Sequence, residues 1–351
     1  MEDVTNNLDS FSLECGLSED EKKLLHLRAR SAALTLTGCA HAVFLCELVT
    51  PLFTFRTSIK NHRQSVASEK DGDLCVGIVG MGHMGKQVLL SILKKTSIKP
   101  SQIKISTRRP EYAGTLNNKC FFDNGRVAAW ADVVFLCCLP SHLPKVCADL
   151  RSHLSKHSLV YSFTSAVPVS RLAQLLGHSF IVRPQSDFAA WDSTDVWLSC
   201  MHVTTALNNP SLIRASCPLT SDGSISSGLN LVCAVLYSLL NICTSAGLGS
   251  GDTISLLNCL FKEKWSQTVD LNAKRYVLSL FPARPFPWIS LCDAQTKETP
   301  LLRFLSSSKS TQQCISAATS STLKKFPYLR LPKIVVVVIF SDFSGNTKSH
   351  F

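Results

Sequence analysis

Short apolar runs alternate with longer, helix-like stretches from residue 73 to about residue 220. Runs of four to seven residues rich in Val, Ile, Leu and Phe are typical of strands buried on both faces, as in parallel sheets. Their spacing of roughly 15 to 30 residues leaves room for crossover helices. The pattern predicts an α/β fold with a doubly wound parallel sheet, whose strands are Leu74–Val79, Ile103–Thr107, Cys120–Phe122, Val133–Leu139, Leu159–Phe163 and Phe180–Val182.

Helix-like patterns lie on both sides of this region. Ser18 and Glu21 form a capping box, which predicts a helix from about Glu19 to Val49 that ends before Pro51. Residues 56–73 are polar without a period and predict a linker. Beyond residue 223 the pattern predicts helices at Gly228–Ala246, Ile254–Trp265 and Val269–Phe281.

These patterns divide the chain into four predicted parts. Residues 1–72 form an N-terminal helical extension and linker, and residues 73–222 form the parallel-sheet domain. A smaller all-helical domain follows at residues 223–305. Residues 306–351 are rich in Ser, Thr and Lys and are predicted to be a low-complexity tail.

The most apolar stretches are too short to cross a membrane. Ser31–Cys46 has 16 residues and Ile334–Phe340 is shorter still, whereas a spanning helix needs about 20. We therefore predict no membrane span and interpret Ser31–Cys46 as part of a buried or partner-facing helix. The first residues are acidic and polar, unlike a secretory signal. The expected location is the cytoplasm, with the mitochondrion as an open alternative.

Composition narrows the class of protein further. With 45% hydrophobic and 17% charged residues, the chain can bury a large core. The 36 Lys and Arg residues exceed the 25 Asp and Glu, a net charge of +11 that favours anionic partners. The basic residues lack aromatic interleaving, so we predict no nucleic-acid binding. The 15 cysteines are odd in number and scattered without CxxC spacing, which predicts reduced core residues and no metal site.

A glycine motif follows the first predicted strand and opens the first predicted helix. In it, Gly80 permits a tight turn, Gly82 lets a diphosphate approach the backbone, and Gly85 lets helix and strand pack closely. Helix N-terminal amides then face the phosphates. The motif predicts a Rossmann-type dinucleotide site formed by Val79, Gly80, Met81, Gly82, His83, Met84 and Gly85.

The end of the second predicted strand indicates which dinucleotide is bound. An NAD site usually carries an acid there for the ribose 2′-hydroxyl, whereas this strand ends in Thr107, Arg108 and Arg109, with no acid before Glu111. Guanidinium groups bind phosphate well. The predicted cofactor is therefore NADP, held at its 2′-phosphate by these three residues.

The region from Gly77 to about Asp187 resembles the pyrroline-5-carboxylate reductase family. Two segments carry the resemblance besides the glycine motif: Ala131–Pro140 is similar to the family's aDvvfLavKP, and Ser162–Val167 is similar to its SiaAGV turn. The resemblance implies a Rossmann domain followed by a helical dimerisation domain, and hence a homodimer. It also implies that further residues lie along the cofactor: Asn124 on the adenosine side, Cys138, Leu139 and Pro140 at the end of the fourth predicted strand, and Ser165 beside the nicotinamide.

This chain departs from that family where the substrate binds. Leu139 replaces the family's Lys, and Arg183–Asp187 keeps the Arg of Arg-x-Met-Pro-Asn but not its Asn. Ser224–Asn230 matches SGSGPAY only loosely, and the HPGxLKDxVxSPGGTT segment is missing. The resemblance therefore supports the nucleotide site and not a proline-precursor substrate.

Hydroxyl groups near the expected nicotinamide are the candidates for catalysis. They are Thr164, Ser165, Ser226 and Ser227, and Arg183 and Gln185 are further polar groups in the same region. We predict an NADP-dependent oxidoreductase that transfers a hydride to an imine or carbonyl of a small metabolite. The alternative is a catalytically silent dinucleotide-binding or sensor protein. A relative of β-hydroxyacid dehydrogenases ranks last, because Lys262, Lys264 and Lys274 lack the usual GxxxK setting.

Overall fold

A computed structural model describes residues 16–63, 73–108, 120–188, 197, 203–219, 225–266, 271, 275–277 and 284–324. Six of its strands form one parallel sheet: β1 (Val76–Val79), β2 (Ile103–Ser106), β3 (Cys120–Phe121), β4 (Val133–Leu136), β5 (Leu159–Ser162) and β6 (Ile181–Val182). Their order is β3-β2-β1-β4-β5-β6, which is the Rossmann arrangement. The predicted fold class and all six predicted strands are confirmed, with ends trimmed by one to three residues.

Side chains of the sheet alternate between two cores. Ile78, Phe135 and Tyr161 point into the larger core, while Val134 and Val160 point into the smaller one. The smaller core is covered by helices α4 (Asn124–Trp130), α5 (Leu143–Arg151) and α6 (Val169–Leu176). The larger is covered by α2 (Leu25–Arg63), α3 (His83–Lys95) and the C-terminal helices. Burial on both faces explains why the strands are continuously apolar.

The remaining elements follow the sheet. A short antiparallel pair, β7 (Ser186–Phe188) with β8 (Ile225–Ser227), crosses the predicted boundary between residues 222 and 223. The other helices are α1 (Glu19–Lys22), α7 (Val203–Ala206), α8 (Pro210–Ser216), α9 (Leu229–Ser245), α10 (Ser250–Trp265), α11 (Leu291–Thr296), α12 (Pro300–Ser307) and α13 (Lys309–Lys324).

Two sequence predictions about the helices are wrong. The tail prediction fails at its start, because residues 309–324 form α13, which buries Ile315, Ala318 and Leu323 in the larger core. The helix predicted to end before Pro51 instead runs on to Arg63, through part of the predicted linker. The predicted helix Val269–Phe281 and the apolar run Ile334–Phe340 lie largely or wholly outside the described residues.

Helix α2 passes Pro51 because a distant side chain compensates for the proline. Pro51 has no N–H, so the carbonyl of Glu47, one turn earlier, loses its helical donor. Lys264 of α10 donates to that carbonyl oxygen at 2.5 Å and pairs with Glu47 Oε2 at 2.7 Å. The helix therefore continues without an orphaned carbonyl at this position.

The central stretch of α2 lies in the middle of the protein. Residues Cys39 to Val49 are almost fully buried apart from Glu47, against the sheet and against α9 and α13. By length and apolar composition, the segment Glu19–Thr54 is sufficient to cross a membrane, but 78% of its most apolar window is buried inside the protein. In this structure the apolar part of the segment is the buried centre of α2.

Candidate functional site

The glycine loop joins β1 to α3 at the carboxyl edge of the sheet, between β1 and β4. Gly80 has a φ of +98°, and a Cβ there would lie 3.0 Å from the backbone of Cys137. A Cβ on Gly85 would lie 2.0 Å from the Gly80 carbonyl oxygen. Both positions therefore require glycine for the packing of the loop, as predicted from the motif.

Gly82 differs from the other two glycines. A Cβ added to it would meet no atom of the described residues within 4 Å, and its φ of −73° is open to any residue. It is the N-cap of α3, has no side chain to cap the helix, and is followed by a first turn without acids. Helix N-terminal amides therefore face open space with a positive electrostatic potential, which fits a bound phosphate group.

The carboxyl end of β2 lies next to the glycine loop. The amide of Gly80 donates to the Ser106 carbonyl at 2.8 Å, and Arg108 is exposed two residues further on. Arg109 lies outside the described residues. Of the three residues predicted to hold a 2′-phosphate, the structure thus describes an exposed Arg108 and a half-buried Thr107.

Asn124 occupies a fixed position beside this end of β2. Its amide oxygen accepts from Ser106 Oγ at 2.7 Å, and its amide nitrogen donates to Asp149 Oδ2 at 3.0 Å. The neighbouring Phe122 is 70% exposed. Sequence reasoning took Phe122 as the end of a buried strand, so its exposure was missed. Asp149 was missed as well, since nothing nearby in sequence connects it to Asn124.

The segment after β4 meets the glycine loop from the other side. The backbone nitrogen of Cys138 would be 3.1 Å from a Cβ on Gly80, so the two loops are in direct contact. Leu139 is 64% exposed and Pro140 begins a short 3-10 turn that leads into α5. The structure therefore brings the predicted residues Cys138, Leu139 and Pro140 to the edge where β1 and β4 meet.

The turn after β5 contains two of the predicted hydroxyl groups. Thr164 is buried, and its Oγ1 lies 2.6 Å from Ser162 Oγ. Ser165 is exposed, and its carbonyl accepts a hydrogen bond from the guanidinium of Arg183. Thr164 is thus engaged within its own turn, whereas the hydroxyl of Ser165 is accessible.

The predicted residues Ser226 and Ser227 lie in β8. The register of the antiparallel pair places Ser226 opposite Asp187 and Ser227 opposite Ser186, just after Arg183. The structure therefore brings β8 to the segment that follows β6, one strand away from the β5 turn.

Helix α2 approaches the same edge, which sequence reasoning did not foresee. A Cβ on Gly38 would lie 2.9 Å from the Phe163 ring and 3.3 Å from the Met84 side chain. No short motif signals such a contact, because Gly38 is more than 40 residues from either partner in sequence. Among the described residues, no group of three or more His, Cys, Asp or Glu side chains is arranged to hold a metal ion.

A parallel sheet of this order, with a glycine loop leading into an open helix N-terminus, defines a dinucleotide-binding protein of the Rossmann class. The family described as NADP oxidoreductase, coenzyme F420-dependent, matches residues 75–166. A mouse (Mus musculus) protein, NADP-dependent oxidoreductase domain-containing protein 1, is 37% identical over 90% of this chain and 92% of its own length. The chain belongs to the family of that protein.

Relatedness to pyrroline-5-carboxylate reductases is confined to one region of the sequence. The Escherichia coli (strain K12) enzyme is 32% identical over 107 residues, which is 29% of this chain and 40% of that enzyme. A solved Plasmodium falciparum pyrroline carboxylate reductase with NADP bound is 13% identical, with a TM-score of 0.27 over 72% of this chain and 98% of that one. The Coxiella burnetii pyrroline-5-carboxylate reductase is 17% identical, with a TM-score of 0.30 over 71% and 98%. Scores this low establish no common fold, so the fold assignment depends on the strand order.

Proposed function

We propose that this protein is an NADP(H)-dependent oxidoreductase that reduces a C=N or C=O bond of a small metabolite. The observation that carries the proposal is the open space above Gly82, at the N-terminus of α3 and at the switch point of the sheet. The names of the mouse relative and of the Escherichia coli enzyme support NADP and a reductase reaction.

Each part of the dinucleotide has candidate partners in this chain. The amides of Met81 to Gly85 would hold the diphosphate, while Gly80 and Gly85 keep the loop compact. Arg108, with Thr107 and Arg109, would hold the 2′-phosphate. The exposed ring of Phe122, beside Asn124, offers a stacking surface for the adenine. Cys138, Leu139 and Pro140 border the same edge.

When bound, NADPH would supply a hydride to the carbon of the C=N or C=O bond, whose nitrogen or oxygen would take up a proton. Ser165 is the exposed hydroxyl in the β5 turn and would hold or relay that proton. Ser226 and Ser227 are further candidates from β8. Thr164 is a weaker one, because its hydroxyl is bonded to Ser162.

A second candidate function is dinucleotide binding without catalysis. It is favoured by the hydrogen bond between the Thr164 and Ser162 hydroxyls, which engages one of the two hydroxyls of the β5 turn. Binding of NADPH without oxidation of it by any imine or carbonyl compound would support this alternative.

We also propose that the protein acts in the cytoplasm, with the mitochondrion as the alternative, without a membrane span or nucleic acid as partner. A homodimer is part of the proposal. Its interface would lie outside the central part of α9, whose residues Leu231 to Cys243 are nearly all buried within the chain itself.

The test is fluorescence titration of the purified chain with NADPH and with NADH. Tighter binding of NADPH is expected, and replacing both Arg108 and Arg109 by Glu should abolish the preference. Gly82→Asp is expected to weaken NADPH binding by more than about tenfold, because the carboxylate would occupy the helix N-terminus. Asp is a good N-cap, so the same variant should keep or raise the melting temperature.

Gly228→Asp is the matched control, since Gly228 is also an uncapped N-cap, and no described atom lies within 4 Å of a Cβ added to it. It should bind NADPH as the wild type does. Unchanged NADPH binding by Gly82→Asp would show that the dinucleotide does not lie on this helix. A preference that survives the double Arg substitution would rule out the 2′-phosphate site.

A further inference from the structure

Arg183 is held at the carboxyl end of β6 by helix α11, which is more than 100 residues away in sequence. Its backbone N–H donates to Gln295 Oε1 at 2.9 Å. Gln295, on α11, also donates from Nε2 to the carbonyls of Ile181 and Leu291, at 2.7 and 2.8 Å. The Gln295 side chain thus bonds to the backbone of β6 and of Arg183, and it fixes the position of the Arg183 backbone.

The guanidinium of Arg183 spans the ends of two strands. From its position after β6, it donates through Nη2 to the carbonyl of Ser165, in the turn after β5. That turn also contains Phe163, which contacts α2, and Thr164. The cation therefore lies beside the residues proposed to face the reacting end of the cofactor.

The positive charge of Arg183 has little compensation. Within the described part of the chain, its buried Nε has no acceptor and no carboxylate lies within 4 Å of the guanidinium. Of its five N–H donors, one is used by a neutral carbonyl. Burial lowers the pKa of Arg183 from its ordinary value. A half-buried cation without a counter-ion is costly unless an anion binds to it.

We propose that Arg183 binds the carboxylate of the substrate. The inference depends on the proposed reductase function and specifies its substrate as a small 2-oxo acid or imino acid. Guanidinium groups prefer carboxylates and phosphates, and the half-buried side chain leaves its outer N–H groups within reach of a small ligand. A carboxylate next to the C=O or C=N bond would place the reacting carbon beside the β5 turn.

The experiment uses the full chain and two matched pairs of compounds. Pyruvate is compared with pyruvamide, and 1-pyrroline-2-carboxylate with 1-pyrroline, so that each pair differs in the negative charge. Binding to the protein saturated with NADP⁺ is measured by calorimetry, and oxidation of NADPH is followed by absorbance. The wild type is expected to prefer at least one carboxylate over its neutral partner by about tenfold or more.

Arg183→Met should remove that preference, leave the neutral compound unaffected and leave NADPH binding unchanged. Arg183→Lys keeps the charge and should retain part of the preference, which separates charge from misfolding. Arg171→Met, on the exposed surface of α6, is the matched control and should behave as the wild type.

Three results would overturn the inference. A wild type that binds NADPH but shows no preference for any carboxylate would refute the role proposed for Arg183 and leave the proposed function standing. Loss of NADPH binding in Arg183→Met would reassign the residue to the cofactor. A wild type that fails to bind NADPH would refute the proposed function and this inference together.

Discussion

At the scale of single residues, the three glycines of the loop have different physical roles. Gly80 and Gly85 are required by the packing of the loop against Cys137 and against each other. Gly82 has no such requirement, and its missing side chain leaves open the space that a phosphate would need. Two glycines of the motif are therefore required by packing, and the third, Gly82, is the one that indicates a bound ligand.

His41 is a second residue whose environment determines its chemistry. It is 5% exposed, and burial lowers the pKa of its imidazole from 6.5 to about 4. Its Nδ1 lies 3.4 Å from the hydroxyl of Tyr161, a strand residue in the larger core. The imidazole is therefore neutral in the folded protein at neutral pH.

Between pH 6.5 and about pH 4, the unfolded chain takes up a proton at His41 that the folded protein excludes. Stability is therefore lost as the pH falls through this window, by about 3 kcal/mol from this group. Urea unfolding of the wild type and of His41→Gln across the window should show a smaller loss in the variant. Equal slopes in the two proteins would contradict a depressed pKa at His41.

At the scale of the element, α2 shows how a helix tolerates an internal proline. Pro51 predicts the end of the helix, but the helix continues past it, and Lys264 bonds to the carbonyl that Pro51 leaves without a donor. The lysine replaces the missing backbone donor and neutralises Glu47 at the same time. Helix propensity is a local property, whereas this compensation comes from a residue 217 positions away.

Lys264→Met is expected to destabilise the protein by about 2–4 kcal/mol, because it leaves a largely buried carboxylate and a carbonyl without partners. The loss should be smaller in a Pro51→Ala background, where the restored N–H can bond the Glu47 carbonyl. Denaturant unfolding of the four proteins of this double-mutant cycle measures the coupling. Lys262→Met, an exposed neighbour on α10, is the control. Additive effects of Lys264→Met and Pro51→Ala would disprove the compensation.

At the scale of the whole molecule, one face of the Rossmann sheet is covered by helices that precede the sheet in sequence and by helices that follow it. Ile78, Phe135 and Tyr161 share a continuous core with α2, α9 and α13. Gln295 adds polar contacts at the β6 edge, and Lys95 donates to the carbonyl of Leu323 at 2.8 Å. The nucleotide-binding region is therefore enclosed by the rest of the protein on its larger-core side.

A fragment of residues 73–222 is expected not to fold cooperatively. Without α2 and the C-terminal helices, each large apolar side chain on the larger-core face would lose roughly 2 kcal/mol of burial. Urea titrations followed by circular dichroism, with the full chain as control, would show a broad transition for the fragment. A sharp transition with native-like stability would show that the sheet is an independent domain.

The sequence by itself determined the six strands, the glycine loop and the basic end of β2, because these depend on local periodicity and on residues that are neighbours in the chain. Only the tertiary structure decided the course of α2, the fixed position of Asn124, the exposure of Phe122 and the meeting of Arg183 with Ser165. Each of these depends on contacts between segments that are distant in sequence. In such contacts a polar group of one segment finds, or lacks, a hydrogen-bond partner in another. Such pairings arise from packing in three dimensions, and local patterns do not encode them.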